Sequence, residues 1–175
     1  ENGASMINDI NGLRSEGALA VAAKFDCPIC IMHMQNQPQT MQINPSYIDV
    51  VEDICKFFTD RIAACQAAGI ATSRLILDPG FGFGKTTPQN LTMVNQLAKF
   101  KRFNLPILLG VSRKTTIGQL LDCPPQQRLA GSLAMTAMAV NNGVSIMRTH
   151  DVKATADVVK IGQALLENRI SNEWQ

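Results

Sequence analysis

Apolar residues along the chain form five short and nearly continuous runs, each followed by polar residues. The runs occupy positions 5–7, 28–32, 74–77, 106–109 and 144–147. Because apolar residues fill successive positions instead of alternating with polar ones, each run predicts a parallel strand buried on both faces.

Between and after these runs, apolar residues recur three and four positions apart, which is the period of a helix. This spacing predicts helices over 48–65, 91–98, 129–140 and 158–166, and a helical stretch over 115–121. Gly69 offers a C-terminal stop for the first of them. Strands that alternate with helices, with no linker between them, predict one α/β domain over 1–175 with right-handed crossovers.

Polar side chains follow the end of every predicted strand. They lie at positions 8–9, 33–35, 78–85, 112–114 and 148–151. An open sheet gathers its ligand residues at one switch point, whereas a (β/α)₈ TIM barrel gathers them from the ends of many strands. A barrel needs eight units and about 250 residues. The five units therefore predict a barrel with roughly the first three βα units missing from this chain, and the start at Glu1 without a Met agrees with a truncation.

Composition narrows the classes of protein. The chain has 175 residues, 46% of them hydrophobic, and a formal net charge of +2. So small a charge argues against nucleic-acid and anionic-membrane partners. No apolar stretch reaches the roughly 18 residues of a membrane span. Five cysteines, an odd number, favour a reducing cytoplasm over a disulfide framework.

Cys27 and Cys30 match a C-x-x-C pattern, but they lead into a predicted strand and are interpreted as core residues.

The segment over 78–85 is the most unusual in the chain. It alternates glycines with two aromatic residues: Gly80, Phe81, Gly82, Phe83 and Gly84. Glycines allow close backbone approach, and the rings offer an apolar wall for a flat ligand. The tail resembles a P-loop, yet Pro79 stands where the first glycine of that motif is required, so nucleotide binding is not predicted.

Asp78 ends a predicted buried strand, where a carboxylate must find hydrogen-bond donors. A planar heterocycle with two N–H groups in one plane would satisfy both of its oxygens. The alternative is a structural carboxylate that is satisfied within the protein.

Two later clusters suit anions. Ser112, Arg113 and Lys114 precede a predicted helix, whose N-terminus favours negative charge. Arg148 and His150 stand two apart, on the same side of a strand end. In barrels the last two strand-end loops often bind phosphate. The alternatives are a solvated basic turn for the first cluster and a metal ligand in His150. His33, the other histidine, lacks a recognisable ligand spacing and is interpreted as a hydrogen-bonded structural residue.

These segments together resemble the dihydropteroate synthase family. The motifs that carry the resemblance are Ile7-Asn8-Asp9-Ile10, Met32-His33-Met34-Gln35, the glycine segment from Leu77 to Lys85, Gly110-Val111-Ser112-Arg113-Lys114 and Arg148-Thr149-His150-Asp151. The resemblance covers the whole chain in order and implies the fourth to eighth strands of a TIM barrel.

The family resemblance implies a role for each matching position. Lys114, Arg148 and His150 would be the catalytic residues, the last two holding the pyrophosphate of the pterin substrate. Asn8, Asp78 and Lys114 would hydrogen-bond the pterin. The remaining substrate-binding positions are Met32 beside the ring, Phe83 and Gly110 at the pocket border, Ser112 and Thr115 near the p-aminobenzoate carboxylate, and Arg113 and Thr149.

The resemblance further implies a cytoplasmic transferase of folate biosynthesis that uses Mg²⁺, is a target of sulfonamides and forms a homodimer through helix 129–140 and the last helix. The family's metal-binding Asn, the loop that closes over p-aminobenzoate and the pterin-binding Asp after the third strand are absent here, so no metal ligand is expected in this chain. Two alternatives remain: a pterin-binding methyltransferase domain of the corrinoid-dependent kind, and a catalytically inactive barrel fragment.

Overall fold

The structure, a computed structural model, describes residues 3–35 and 45–171. Its strands are β1 (Ile7–Asp9), β2 (Ile29–Met32), β3 (Leu75–Asp78), β4 (Leu108–Leu109) and β5 (Ile146–Met147). Its helices are α1 (Ala18–Ala22), α2 (Val50–Ala67), α3 (Thr87–Asn95), α4 (Thr115–Leu121), α5 (Leu129–Asn141) and α6 (Val152–Ser171). Short 3₁₀ segments lie at Thr72–Arg74, Leu97–Phe103 and Pro125–Gln127.

The strands lie side by side in the order in which they occur along the chain, and all the pairs are parallel. β1, β2 and β3 form one ladder and β4 and β5 another. A parallel bridge between Leu77 and Ile107 joins the two ladders, and the Leu77 N–H donates to the Pro106 carbonyl at 2.9 Å. Because the strands are parallel and lie in chain order, the C-terminal ends of all five lie along the same edge of the sheet.

Side chains of the central strands pack on both faces of the sheet. All four residues of β2 are fully buried. Ile31 and Leu77 point into the main core beneath the helices, with Phe58 of α2. Residues on the other face form a second, smaller cluster: Cys30, Ile76, Leu108 and the half-buried Ile146. This two-sided burial explains the continuous apolar runs of the sequence.

Local sequence signals set the starts of the two helices that follow β2 and β3. Asp49 caps α2 by accepting hydrogen bonds from the backbone N–H groups of Val51 and Glu52. Thr86 and Gln89 form a reciprocal capping box at the start of α3. Both helices are thereby fixed immediately beside the loops that precede them.

All five predicted strands and the four periodic helices are confirmed, as is the stretch over 115–121, which is α4. The first strand was wrongly placed at 5–7: it lies at Ile7–Asp9, because Asn8 and Asp9 pair with Cys30 and Ile31. The helix predicted over 91–98 starts earlier, at Thr87, and ends at Asn95. Helix α1 was not predicted, since five residues are too few to show a period.

Candidate active site

Five of the predicted site residues lie at the C-terminal ends of the strands, on the face of the second cluster. Met32, Asp78, Gly110 and Arg148 each stand two positions after a member of that cluster. Since side chains alternate along a strand, they project to the same side as that cluster. Asn8, which pairs with Cys30 in register, belongs to this face as well.

Asp78 is the most deeply buried acid of the site, with only 1% of its surface exposed. Its Oδ1 accepts a hydrogen bond of 2.8 Å from the Gly80 N–H. Its Oδ2 has no hydrogen-bond partner, and the nearest cation, Nη2 of Arg148, lies 3.9 Å away. Burial raises the pKa of Asp78, although the Gly80 N–H, Arg148 and Lys114 act in the opposite direction. A buried carboxylate oxygen without a donor is unfavourable on its own and suits a ligand that brings an N–H group.

Gly80 lets the loop after β3 pass directly against β2. It has φ of +71°, and a Cβ at this position would lie 1.9 Å from the carbonyl oxygen of His33. Both the backbone conformation and the space therefore require glycine here.

Lys85 is buried beneath this loop, with 3% of its surface exposed. Its Nζ lies 3.0 Å from Nδ1 of His33, and it donates to the carbonyls of Gly80 at 2.9 Å and Phe83 at 3.1 Å. Burial lowers the pKa of Lys85 to about 7, although Asp78 acts to raise it. Burial and the charge of Lys85 also hold the pKa of His33 well below its usual value. His33 is therefore a neutral, hydrogen-bonded structural residue, as the sequence predicted.

Lys114 covers the same loop from the other side. Its Nζ donates to the Phe81 carbonyl and lies 4.1 Å from the centre of the Phe83 ring. Burial lowers the pKa of Lys114 to about 8, with Asp78 opposing that shift and Arg148 adding to it. The cation thus lies against the aromatic ring that borders the site.

Arg148 lies across Gly110 at the end of β4. A Cβ added to Gly110 would be 3.0 Å from Nη2 of Arg148. The glycine therefore leaves room for the guanidinium to extend toward Asp78. Ser112 joins the neighbouring cluster, where its hydroxyl lies 2.9 Å from Nδ1 of His150 and accepts from the His150 N–H at 3.2 Å.

Two of the predicted substrate-binding side chains already have partners within the protein. Arg113 makes a double contact with Asp151, at 3.0 Å and 2.5 Å, which lowers the pKa of that carboxyl. The Thr149 hydroxyl accepts from the Asp151 N–H at 3.1 Å and lies 2.9 Å from the Thr155 hydroxyl. Substrate contacts by Arg113 and Thr149 remain predictions. So does the role of Thr115, which is exposed at the first turn of α4.

The structure thus places Asp78 and Gly110 beside Arg148, Phe83 beside Lys114, and Ser112 beside His150. Sequence reasoning missed two residues that brace the loop. Lys85 belonged to the motif but had no assigned task, and Asn90 donates to the Lys85 carbonyl and the Thr116 hydroxyl. Its side-chain oxygen accepts from the Gly82 N–H at 2.8 Å. Asn90 follows Thr86 by four residues, about one turn of α3, and its side chain donates to the Thr86 carbonyl. This one-turn spacing is the only local sequence signal that could have identified Asn90.

Metal ligands do not assemble in the described part of the chain. Within residues 3–35 and 45–171, no group of three or more His, Cys, Asp and Glu side chains is arranged to hold a metal ion. Over the same residues, no helix is both long and apolar enough to cross a membrane.

Comparison with known proteins places this geometry in a family. The model of the family described as "Pterin binding enzyme" matches residues 1–150. The chain therefore belongs to the pterin-binding enzyme family. Within it, the chain is similar to dihydropteroate synthases, as the motifs predicted: it is 46% identical to that of Escherichia coli (strain K12) over 173 residues and 47% identical to that of Haemophilus influenzae over 162 residues.

Solved structures give the same result. The dihydropteroate synthase of Yersinia pestis with a sulfonamide drug complex superposes with a TM-score of 0.93 at 48% identity. That of Xanthomonas albilineans with 4-aminobenzoic acid superposes with a TM-score of 0.87 at 41% identity. The parallel strands of this chain are thus part of the TIM barrel expected from the strand ends.

Coverage is unequal in these pairs. The alignment takes in 99% of this chain but 61% of the Escherichia coli relative, and 95% of this chain but 61% of the Yersinia pestis structure. For Haemophilus influenzae the shares are 93% and 59%.

Proposed function

We propose that this chain forms the pterin- and pyrophosphate-binding part of a dihydropteroate synthase. That enzyme joins 6-hydroxymethyl-7,8-dihydropterin pyrophosphate to p-aminobenzoate and releases 7,8-dihydropteroate and pyrophosphate. The Oδ2 of the buried Asp78, which accepts no hydrogen bond, carries the proposal together with the family membership. The ring of a pterin presents an amino group and a neighbouring ring N–H in one plane, which matches a carboxylate acceptor.

The neighbours of Asp78 suit the same ligand. The Phe83 ring gives a flat apolar wall, and Lys114 above it supplies a donor for the ring's carbonyl or nitrogen acceptors. Asn8 and Met32 face the same interior. A pocket with one buried acceptor, one cation and an aromatic wall selects a planar heterocycle that carries both donors and acceptors.

The pyrophosphate would lie between the guanidinium of Arg148 and the imidazole of His150. In the reaction, the bond between the pterin methylene carbon and the pyrophosphate oxygen breaks, and both electrons stay on that oxygen. The arylamine nitrogen forms the new carbon–nitrogen bond and then loses one proton to solvent. Arg148 supplies fixed positive charge where negative charge develops, and the pocket around Asp78 orients the ring for attack.

Mg²⁺ is part of the proposal, but the described residues do not fit it. The anion-binding side chains here are cationic, and no ligand group of His, Cys, Asp or Glu is formed among the described residues. None of the steps above involves the metal. It would have to be held by residues outside those that the structure describes.

We further propose that the competent enzyme contains additional βα units that complete the barrel, and that this stretch alone is inactive. β1 pairs only with β2 among the described strands, and apolar side chains beside it are exposed, Met6 by 40% and Phe25 by 57%.

Contact of Ser112 and Thr115 with the p-aminobenzoate carboxylate belongs to the same proposal. The Xanthomonas albilineans relative with 4-aminobenzoic acid supports that substrate class, and the Yersinia pestis complex supports sulfonamides as inhibitors.

We also propose that the chain forms a homodimer through α5 and α6. These helices pack together and present an apolar groove with Ile161 exposed by 65% and Leu165 by 58%. A cytoplasmic location agrees with the five cysteines, all of which are free.

The direct test is an assay of the full-length protein with Mg²⁺, the pterin pyrophosphate and p-aminobenzoate. We expect dihydropteroate and pyrophosphate to form in equal amounts. Methyl transfer from a methylated pterin, without release of pyrophosphate from the pterin pyrophosphate, would overturn the proposal. It would favour a pterin-binding methyltransferase domain instead.

A further inference from the structure

We propose that Lys85, together with His33, is the positioning residue that sets the pterin-binding carboxylate of Asp78. Lys85 acts through the backbone of the glycine loop and does not itself touch the ligand. The inference rests on the proposed function, because it assigns a task within the same site.

In its protonated form, Lys85 has three hydrogen-bond donors, which match three acceptors in different parts of the site. One acceptor is Nδ1 of His33, 3.0 Å away at the end of β2. The others are the carbonyls of Gly80 and Phe83, at 2.9 Å and 3.1 Å, which lie near the two ends of the loop. Lys85 therefore ties the end of one strand to both ends of the loop that follows the next strand.

Gly80 transmits this anchoring to Asp78. Its N–H donates to Oδ1 of Asp78 at 2.8 Å, while its carbonyl accepts from Lys85 and from the Phe83 N–H at 3.0 Å. The position of Gly80 thus decides which oxygen of Asp78 is occupied. With Lys85 in place, Oδ1 is held by the protein and Oδ2 is left for the ligand.

Lys85 also holds Phe83, the other residue that faces the ligand. The Phe83 carbonyl is held by Lys85, and the Phe83 ring lies beneath Lys114 at 4.1 Å. Loss of Lys85 therefore releases the carboxylate and the aromatic wall together, and the expected defect is in pterin binding.

The identity of the residue supports a positioning task over simple packing. Lys85 and His33 are buried, with 3% and 6% of their surfaces exposed. A buried ammonium is unfavourable unless its hydrogen bonds are needed, and an apolar side chain would fill the same space at lower cost. His33 also packs edge-on against the Phe57 ring at 5.0 Å, which fixes its orientation and aims Nδ1 at Lys85.

The experiment measures the Kd of the pterin pyrophosphate and the KM of both substrates in the full-length protein. We expect Lys85→Met to raise the Kd and the KM of the pterin at least about tenfold, the scale set by buried carbonyls left without donors. The KM of p-aminobenzoate should change by less than about twofold. His33→Leu should show the same pterin defect, whereas His33→Asn, which keeps an acceptor near Nδ1, should restore most of the affinity.

Leu97→Ala is the matched control for lost stability, because Leu97 lies in the main core and is separated from the loop along the chain by α3. It should lower the Tm while leaving the pterin Kd unchanged. The proposal is overturned if Lys85→Met binds the pterin like the wild type, if Leu97→Ala shows the same loss of affinity, or if His33→Asn is as defective as His33→Leu. If Lys85→Met fails to fold, the two His33 variants decide the question alone. A wild-type protein that binds no pterin would instead contradict the proposed function.

Discussion

Nη2 of Arg148 lies 3.9 Å from Oδ2 of Asp78, close enough to compensate its charge and too far to occupy it with a hydrogen bond. The carboxylate oxygen therefore remains an acceptor in a buried site. Under the proposed function, Arg148 would contact the departing pyrophosphate, and its charge favours the ionised form of Asp78. The proposed function would then couple recognition of the pterin by Asp78 to stabilisation of the leaving group by Arg148.

Replacing Arg148 with glutamine tests the leaving-group role. We expect Arg148→Gln to lower kcat/KM for the pterin pyrophosphate by about a hundredfold, the usual effect of removing a donor to developing negative charge. Steady-state kinetics measure the loss. Arg102→Gln is the control, since Arg102 pairs with Glu52 on the exposed surface, and it should keep near-normal activity. Equal activity in the two variants would contradict the role of Arg148.

A pair of glycine substitutions separates crowding from backbone strain. Gly80 and Gly69 both have positive φ, of +71° and +81°, but only Gly80 would place a Cβ against another backbone atom. Gly69→Ala should cost about 1–2 kcal/mol in the free energy of unfolding, from φ alone. Gly80→Ala should cost clearly more, about 3 kcal/mol or above, because the loop must also move. Urea unfolding of both variants checks the order, and equal losses would argue against the close approach to His33.

The pKa of Lys85 predicts a pH dependence of stability. The folded pKa is about 7 and the ordinary value is 10.5, so between these values the unfolded chain binds more protons than the folded one. The free energy of unfolding should therefore contain a contribution that rises with pH across this range. The groups that face Lys85 are His33, whose pKa is lowered, Asp78, whose pKa is raised, and Lys114, whose pKa is lowered to about 8.

Comparison with Lys85→Met reports this contribution together with the effect of the Lys85 charge on the pKa values of His33 and Asp78. The wild type should gain stability relative to the variant as the pH rises from about 7 to 9 in urea titrations. A difference that stays constant over this range would show that Lys85 does not titrate as described.

Much of the architecture follows from local sequence patterns. Continuous apolar runs identify strands buried on both faces, as in Ile29–Met32, and the three-four spacing identifies α2. Asp78 could be singled out as a ligand-binding carboxylate because it ends such a strand. Its Oδ2 accepts no hydrogen bond among the described residues, and its role in binding a ligand stays a prediction.

The bracing of the site could not be predicted in this way. His33 and Lys85 are 52 positions apart, and Arg113 and Asp151 are 38 apart. Pairings over such distances depend on how neighbouring strand ends meet, and no period in the sequence records them. The boundaries of β1 were missed for the same reason, since its polar residues belong to the strand only through their pairing with β2.

The most direct test of the account is the equilibrium binding of the pterin pyrophosphate to the full-length protein and to its Asp78→Asn variant, without p-aminobenzoate. Burial disfavours the ionised carboxyl of Asp78, so the variant should keep or raise the free energy of unfolding. We expect saturable binding in the wild type and a loss of at least about a hundredfold in affinity in the variant, since the amide presents donors to the donors of the ring. Equal affinity in the two folded proteins, or no binding in the wild type, would contradict the account.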